Sequence, residues 1–342
     1  MELSDYHATA GNWREQLRRN ERKTRWVIIL FIAIYAGVGL LVDSIALVET
    51  QNPRASLSAC FFALLTLKAV PYATLLMIGF AFISLLITYA MYDRIMLLGT
   101  DSHEVTAENA KSLEEKQLYH VIEEMTVAAG LRFMPRVYII EADYMNAFAS
   151  GYSEKSAMVA ITRGLMQKLD RAEMQAVMAH ELSHIRHHDI KLTLMVAVLS
   201  NILLIIVDIL FYSFAFRRDD RKDTNQIVLI IILLRYILPI ITVVLALFLS
   251  RTREYMADSG AVELMRDNEP MARALLKISE DHQQNAEHYT NEYGNTAHEE
   301  VRQASYLFDP SSIDPVKSFN NAFSTHPSIV ERLRALGFMQ KN

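Results

Sequence analysis

Four long apolar runs constrain the fold of this chain more than any other feature of its sequence. They cover residues 26–42, 73–91, 192–216 and 227–249. The first two runs carry no charged residue, and the last two carry one each. Because about 20 apolar residues cross a bilayer as a helix, each run is a candidate transmembrane helix, although the first is short. The alternative, a helix buried in a soluble core, would have to hold for all four runs.

Composition limits the partners and the chemistry of the remaining chain. The formal net charge over 342 residues is −5, so no basic field favours nucleic acid as a partner. Cys60 is the single cysteine, which rules out an intramolecular disulfide and argues against thiolate ligation of a metal. It lies in the apolar segment 57–67, which is too short to cross a bilayer and is expected to be interfacial or re-entrant.

The distribution of basic residues predicts the orientation of the chain. Six basic residues precede the first apolar run, whereas Arg54 is the clear basic residue in the loop that follows it. The positive-inside rule therefore places the N-terminal arm 1–25 in the cytoplasm, and two crossings return residues 92–191 to that side. The charged loop 217–226 fits an outside location poorly. The third and fourth runs could therefore form a hairpin that enters the membrane without crossing it.

The last two runs each contain a charge at a matching distance from the turn between them. Asp208 lies as far before Phe216 as Arg235 lies after Ile227. In an antiparallel hairpin the two side chains would lie at the same depth, and an isolated charge in hydrocarbon is costly. We expect an ion pair between them. The alternative is a polar lining for a substrate path.

The polar segments predict mixed helices and strands. Residues 145–151 place small side chains around Phe148, which suits either an edge strand or an ordinary loop, with the loop slightly favoured. Thr325 is expected to cap the last helix. The other expected elements are a helix at 109–130, strands at 136–141 and 157–162, and helical segments near 251–265 and 270–284.

The chemistry of the chain is concentrated in the run H-E-L-S-H, which begins at His180. Asp170 followed by Glu173 predicts a capped helix start, and apolar residues at helical spacing continue through the run. His180 and His184 leave one face of that helix, where two imidazoles can bind one Zn²⁺ with Glu181 nearby as a general base. The alternative is a surface helix whose histidines face solvent.

Catalytic zinc requires a third protein ligand, with water in the fourth position. Glu254 is a candidate because it directly follows the fourth apolar run, and the hairpin would return it to the side of the H-E-L-S-H helix. Asp258 lies one turn farther and could accept a hydrogen bond from a ligand imidazole. On these residues alone, a solvated helix charge remains the favoured interpretation of Glu254.

Taken together, these motifs resemble the HtpX-type membrane zinc metalloproteases, relatives of the CAAX prenyl endopeptidases. The family pattern H-E-x-x-H with a later E-x-x-x-D is present at 180–184 and 254–258. N-A-F-A-S-G at 146–151 resembles the family's N-A-F-A-T-G strand, and H-P-S-I-V-E-R at 326–332 resembles its H-P-x-x-x-x-R. The resemblance covers most of residues 100–335, whereas residues 285–320 match poorly.

The resemblance implies a mostly α integral membrane protein. About four transmembrane helices would accompany an α+β zincin-like (gluzincin) catalytic domain. The chain would then divide into five segments, which are the cytoplasmic arm 1–25, a two-span region 26–91, a first catalytic part 92–191, a transmembrane hairpin 192–249 and a second catalytic part 250–342.

The resemblance also implies the composition of the metal site. His180, His184 and Glu254 would hold one Zn²⁺ per chain, and Glu181 would be the catalytic general base. Asp258 would stand behind a ligand imidazole.

Three further residues, Asn146, His326 and Arg332, would contact the substrate or the oxyanion. The implied activity is a membrane-embedded zinc endopeptidase that acts in the lipid bilayer on membrane proteins, including misfolded ones, in a stress response. The expected location is the bacterial cytoplasmic (inner) membrane, with the active site on the cytoplasmic side.

Two other functions remain open from the sequence. The first is a non-catalytic membrane scaffold with a structural zinc site, although such zinc normally has four protein ligands and no fourth is evident. The second is a processing protease for one lipidated peptide.

Overall fold

The apolar runs of the sequence lie in four long helices. The computed structural model describes residues 3–8, 13–50, 56–151, 153–215, 222–296, 302, 305–309 and 326–340. Among these residues, four helical segments are long and apolar enough to cross a membrane, namely Arg14–Val48, Tyr72–Met91, Asp189–Ser213 and Ile227–Met265. The prediction of about four transmembrane helices in a mostly α chain is confirmed at this level.

A short 3-10 turn at Leu3–Asp5 precedes the helices and strands of the chain. In chain order they are β1 (Tyr6–Ala8), α1 (Trp13–Thr50), α2 (Leu57–Leu65), α3 (Tyr72–Leu97), β2 (Ser102–Val105), α4 (Leu113–Ala129), β3 (Arg136–Ile140), β4 (Ala147–Ser150), β5 (Met158–Thr162), α5 (Arg163–Lys168), α6 (Arg171–Arg186), α7 (Asp189–Ala215), α8 (Lys222–Met265), α9 (Glu269–Gln284), α10 (Ala286–Asn295), α11 (Ile329–Ala335) and β6 (Phe338–Gln340).

The described chain forms two compact units. The polar unit combines Met1–Thr24, Tyr89–Leu192 and Leu247–Asn342, and the apolar unit combines Arg25–Thr88 and Thr193–Ala246. Large apolar side chains remain exposed in the apolar unit, for example Leu76 at 76% and Leu229 at 67%. Such exposure is costly in water but ordinary in contact with lipid.

Within the apolar unit, the Asp43 side chain of α1 caps the N-terminus of α3. Its Oδ1 accepts a hydrogen bond from the Ala73 N–H at 2.7 Å, and its Oδ2 accepts from the Thr74 N–H at 2.9 Å and the Thr74 hydroxyl at 2.6 Å. The first N–H groups of a helix have no partner inside it, so a carboxylate placed there satisfies them and complements the helix dipole. Asp43 thereby joins two helices of the apolar unit.

The pair predicted between the third and fourth apolar runs is confirmed. The Arg235 Nε lies 2.9 Å from the Asp208 Oδ1. The guanidinium also lies 4.0 Å from the centre of the Phe211 ring, which adds a cation–π contact. The two charges therefore compensate each other, as expected for charged side chains in apolar helices.

The polar unit contains a four-stranded sheet in the order β2-β3-β5-β4. β3 and β5 are parallel, whereas β2 and β4 are antiparallel to their neighbours. β4 lies at one edge of this sheet, and its four residues are buried. The loop interpretation of this segment is wrong, because its small residues fit a buried ladder against β5. A separate two-stranded pair joins β1 to β6.

One backbone edge of β4 faces away from β5. The Asn146 carbonyl accepts a hydrogen bond from the Thr162 N–H and therefore faces β5. The backbone groups of the next residue, Ala147, face the opposite direction. There the Ala147 carbonyl accepts from the Leu307 N–H at 2.9 Å. By the same alternation, the backbone groups of Ala149 face away from β5. The segment around Leu307 thus covers one end of this edge.

The H-E-L-S-H helix, α6, is packed between α4 and α9 and against β4. Its predicted start is confirmed, since Asp170 accepts from the Glu173 N–H at 2.8 Å and Glu173 accepts from the Asp170 N–H at 2.9 Å. The Glu173 carboxylate also binds Lys277 of α9 at 2.7 Å. The capping box at the start of α6 therefore also connects α6 to α9.

Helix α8 is longer than the sequence patterns predicted. The expected helical segment 251–265 continues the fourth apolar run without a break, in one helix of 44 residues with Pro239 inside it. No glycine or proline separates Leu249 from Glu254, so nothing interrupts the backbone hydrogen bonds between them. Glu254 and Asp258 consequently lie one turn apart on the same helix.

The last helix, α11, begins later than expected. Ser328 caps it and forms a capping box with Glu331. The predicted cap, Thr325, lies outside the described residues. So do residues 217–221, the first half of the loop 217–226 that left the crossing of the last two runs open.

A buried histidine connects α9 to the residues that follow it. His282 is 0% exposed, and its Nδ1 lies 2.9 Å from the Ile278 carbonyl oxygen and its Nε2 3.2 Å from the Tyr293 hydroxyl. The Nδ1–H therefore donates and Nε2 accepts, which is the arrangement of a neutral imidazole. Burial lowers the pKa of His282 to about 4.

The Asp208–Arg235 pair predicts the outcome of a charge swap. Asp208→Arg and Arg235→Asp should each lower Tm, because each leaves two like charges adjacent in an apolar helix pair, and the double swap should recover most of the loss. Thermal unfolding in detergent measures all four proteins. A double swap no more stable than the single swaps would contradict a stabilising pair and favour the polar-lining alternative.

Acid should destabilise the protein through His282. The unfolded imidazole binds a proton near pH 6.5 and the folded one near pH 4, so stability should fall as the pH drops between these values. The full shift corresponds to about 3 kcal/mol. Thermal unfolding between pH 7 and pH 4.5 should show a shallower decline for His282→Gln than for the wild type.

The exposed His120→Gln on α4 is the matched control for that measurement and should keep the wild-type pH slope. Equal slopes for the wild type and His282→Gln would mean that another group causes the acid sensitivity.

Candidate metal centre

Two imidazoles and one carboxylate converge where α6 meets α8. His180, His184 and Glu254 each offer one ligand atom, and these atoms lie within 4.8 Å of one another. The two Nε2 atoms are 3.2 Å apart, and the Glu254 oxygens lie 3.7 Å from the His180 Nε2 and 3.6 Å from the His184 Nε2. Ligand atoms around tetrahedral zinc are about 3.3 Å apart, given Zn–N bonds near 2.0–2.1 Å. The three residues therefore fit zinc.

All three residues are shielded from solvent. The exposed fraction of the side chain is 0% for His180, 11% for His184 and 8% for Glu254. Buried charges and polar groups are costly unless they are paired or bind a metal. The convergence of a carboxylate on two imidazole nitrogens inside the protein thus indicates a cation site, as the sequence predicted. The interpretation of Glu254 as a solvated charge and that of the histidines as surface residues are both excluded by this burial.

Behind His180 lies an aspartate that is itself held by an arginine. The His180 Nδ1 is 3.0 Å from the Asp258 Oδ1, and Arg332 donates to both Asp258 oxygens at 2.9 and 2.6 Å. Burial alone would lower the pKa of His180, but contact with Asp258 and Glu254 outweighs it and raises the pKa to about 9. Asp258 therefore fixes Nδ1 as the protonated nitrogen and leaves Nε2 facing Glu254 and His184.

An equivalent arrangement, which the sequence patterns did not reveal, lies behind His184. Its Nδ1 is 2.8 Å from the Asp189 Oδ2, and the Arg253 Nε is 3.1 Å from the Asp189 Oδ1. The second contact is an ion pair whose geometry is not that of a hydrogen bond. His188 adopts a left-handed backbone, φ 55°, which turns the chain between α6 and α7. The sequence signal that could have indicated this contact is Asp189 itself, an acidic residue directly after the run of histidines.

Glu181 lies beside the two histidines with its carboxylate buried. The residue is 1% exposed, and its carboxylate interacts with the backbone of Ala149 on β4 but makes no hydrogen bond of regular geometry among the described residues. Burial raises the pKa of Glu181, and His180 and His184 oppose that rise. A buried carboxylate whose pKa is raised has the proton affinity that a general base needs.

Two of the three residues expected at the substrate lie next to Glu254. The His326 Nδ1 is 3.5 Å from the Glu254 Oε2, and the Arg332 Nη1 is 3.6 Å from the same oxygen. Arg332 also donates to the Leu307 carbonyl at 2.7 Å. The segments around 307 and 326–332 are thereby brought to the metal centre.

The third expected residue, Asn146, is fully buried at the start of β4. Its Nδ2 donates to the Phe308 carbonyl at 2.9 Å and to the Tyr293 hydroxyl at 3.2 Å, and its Oδ1 accepts from the Phe308 N–H at 3.2 Å. These bonds hold the segment around Phe308 against β4. A direct contact of Asn146 with substrate stays a prediction.

Comparison with known proteins adds independent information about this chain. The profile described as peptidase family M48 matches residues 112–339. A protease HtpX homolog of Helicobacter pylori strain J99 is 40% identical over 326 residues, which cover 95% of this chain and 98% of that protein. A protease HtpX homolog of Dictyoglomus thermophilum is 32% identical over 328 residues, which cover 95% and 94%.

A solved structure, that of S. mikatae Ste24p, also matches, with a TM-score of 0.48 and 18% identity, over 76% of this chain and 57% of that one. The family assignment rests on the profile and the curated relatives, which agree with the resemblance noted in the sequence. Together with the four apolar helices, they identify an integral membrane protein that hydrolyses peptide bonds. The chain belongs to peptidase family M48, as a membrane metalloprotease of the HtpX type.

Proposed function

We propose that this chain is a zinc-dependent endopeptidase that cleaves membrane proteins, including misfolded ones, by activating a water molecule with Glu181. The observation that carries this proposal is the spacing of His180, His184 and Glu254, which matches the edges of a zinc tetrahedron with one corner left for water. One Zn²⁺ per chain would be held there. When bound, zinc would supply Lewis acidity to the attacking water and to the substrate carbonyl.

The protein's own groups supply the proton transfers. Glu181 accepts a proton from the attacking water and then passes it to the leaving amine. Its buried environment keeps that proton from being lost to solvent. Asp258 and Asp189 hold the two imidazoles by Nδ1, so that both Nε2 atoms would be available to bind the metal.

The edge of β4 supports a mode of substrate binding. The outward backbone groups of Ala149 can pair with an extended peptide, which would add one more strand to the sheet. α6 packs against this strand, so a peptide bound there would run past Glu181. We assign hydrogen-bond donation to the oxyanion to His326 and Arg332, because both lie beside Glu254. We propose that Asn146 acts by holding β4 and the segment at 307–308 in place.

We further propose that the site faces the cytoplasm from the bacterial inner membrane. The excess of basic residues before the first apolar run supports this orientation. The division into an arm 1–25, spans 26–91, a catalytic part 92–191, a hairpin 192–249 and a second catalytic part 250–342 belongs to the same proposal. So does a role in the response to membrane stress.

Replacement of Glu181 tests the mechanism. Glu181→Gln should retain about one zinc per chain and lose at least about 100-fold in kcat, because the amide cannot accept the proton. Zinc analysis of the detergent-purified proteins and a casein digest measure the two properties. Equal cleavage by both proteins would remove Glu181 from the mechanism, and a zinc-loaded but inert wild type would favour the structural-zinc scaffold.

Replacement of Glu254 tests the third ligand. Glu254→Gln should bind zinc more weakly by about 10-fold or more, because a neutral amide replaces a charged ligand. Titration with a competing zinc chelator measures this affinity. Glu263→Gln, nine residues farther along α8, is the control and should bind zinc like the wild type. Unchanged affinity in Glu254→Gln would show that another residue completes the site.

A further inference from the structure

A second concave site lies in the polar unit, away from the metal ligands. It is a groove of about 380 Å³ between the beginning of α1, helix α8 and helix α11. Three of its lining residues are cations, Arg19 and Lys23 on α1 and Arg334 on α11. Nothing in the peptidase mechanism uses these three side chains.

The charge of the groove is not balanced by the protein. No ion pair among the described residues involves Arg19, Lys23 or Arg334. The one lining carboxylate, Glu331, already accepts from the Ser328 N–H at 2.9 Å and the Ser328 hydroxyl at 3.0 Å. Arg19 and Lys23 are four residues apart on one helix, so their like charges face each other. A bound anion would relieve this repulsion.

One of the three cations, Lys23, lies close in sequence to the first apolar run. Lys23 precedes the first residue of the apolar run, Trp26, by three positions, which is about 4.5 Å along a helix. Its Nζ lies 5.7 Å from the centre of the Phe248 ring, at the end of the fourth apolar run. Lys23 therefore lies at the polar end of two apolar runs, where a transmembrane helix meets the headgroups of a bilayer.

We propose that this groove binds the phosphate headgroup of an anionic phospholipid. Arg19 and Arg334 can each donate two hydrogen bonds to phosphate oxygens, and Lys23 adds a compact charge. Asn20 and Tyr255 also line the groove and can bond the hydroxyls of a glycerol headgroup. Free phosphate offers the same anion, but the apolar run beside Lys23 favours a phosphate that carries acyl chains.

Such a lipid would join parts of the chain that the metal centre depends on. Gln16 of α1 already donates to the Ala335 carbonyl at the end of α11 at 2.8 Å. A phosphate between Arg19 and Arg334 would add a second connection between these helices. α11 also carries Arg332, which holds Asp258, so the headgroup would steady the helix behind His180. The binding itself does not rest on the proposed peptidase function.

Lipid binding to the full chain tests this proposal. Native mass spectrometry in detergent should show binding of dioleoyl phosphatidylglycerol but not of dioleoyl phosphatidylcholine. Arg19→Gln with Arg334→Gln should weaken phosphatidylglycerol binding about tenfold or more, since each contact contributes roughly fivefold. Phosphatidylglycerol should also raise the Tm of the wild type, and the double variant should lose that shift.

Arg18→Gln with Arg22→Gln is the matched control, because it removes two exposed charges from the same helix outside the groove. It should change binding less than about twofold. Equal losses in the two double variants would mean diffuse attraction to the basic helix, and no loss in the groove variant would also overturn the site. Displacement of the lipid by equimolar inorganic phosphate would overturn the lipid assignment.

Discussion

Two buried aspartate–arginine pairs orient the two imidazoles of the candidate metal centre, with Nδ1 of each ring facing an aspartate. Asp258 with Arg332 stands behind His180, and Asp189 with Arg253 stands behind His184. A carboxylate in the protein interior is costly unless a cation compensates it, so each arginine stabilises the aspartate that an imidazole needs. The partners come from α6, α7, α8 and α11. The ligand geometry can therefore form only after segments distant in sequence have docked.

The edge of the sheet depends on a second buried network, which is neutral. Asn146, Tyr293 and His282 form a hydrogen-bonded chain, and the Asn146 amide also binds both backbone groups of Phe308. Because nearly every donor and acceptor is used, this network costs little to bury and fixes one arrangement of strands and loops. It ties the start of β4 to α9, to α10 and to the segment at 307–308.

Most interactions of short sequence range could be predicted here, whereas most of those of long range could not. The Asp208–Arg235 pair is an exception, because a hairpin of two apolar helices sets which residues lie at the same depth. The capping box of Asp170 and Glu173, the shared face of His180 and His184 and the apolar helices all depend on neighbours within a few turns. The contact of Asp189 with the His184 Nδ1 was not predicted, because it depends on the left-handed backbone of His188. The sheet order likewise depends on pairings between distant segments. Glu254 was a candidate because of its place directly after the fourth apolar run, but only the resemblance favoured it over a solvated helix charge.

The pairing of β1 with β6 has a consequence for how the chain threads the bilayer. Residues 6–8 and 338–340 share backbone hydrogen bonds, so both lie in the same aqueous compartment. A chain that leaves and re-enters one compartment must traverse the lipid an even number of times. This single antiparallel ladder therefore excludes three or five passes, whichever leaflet the strands face.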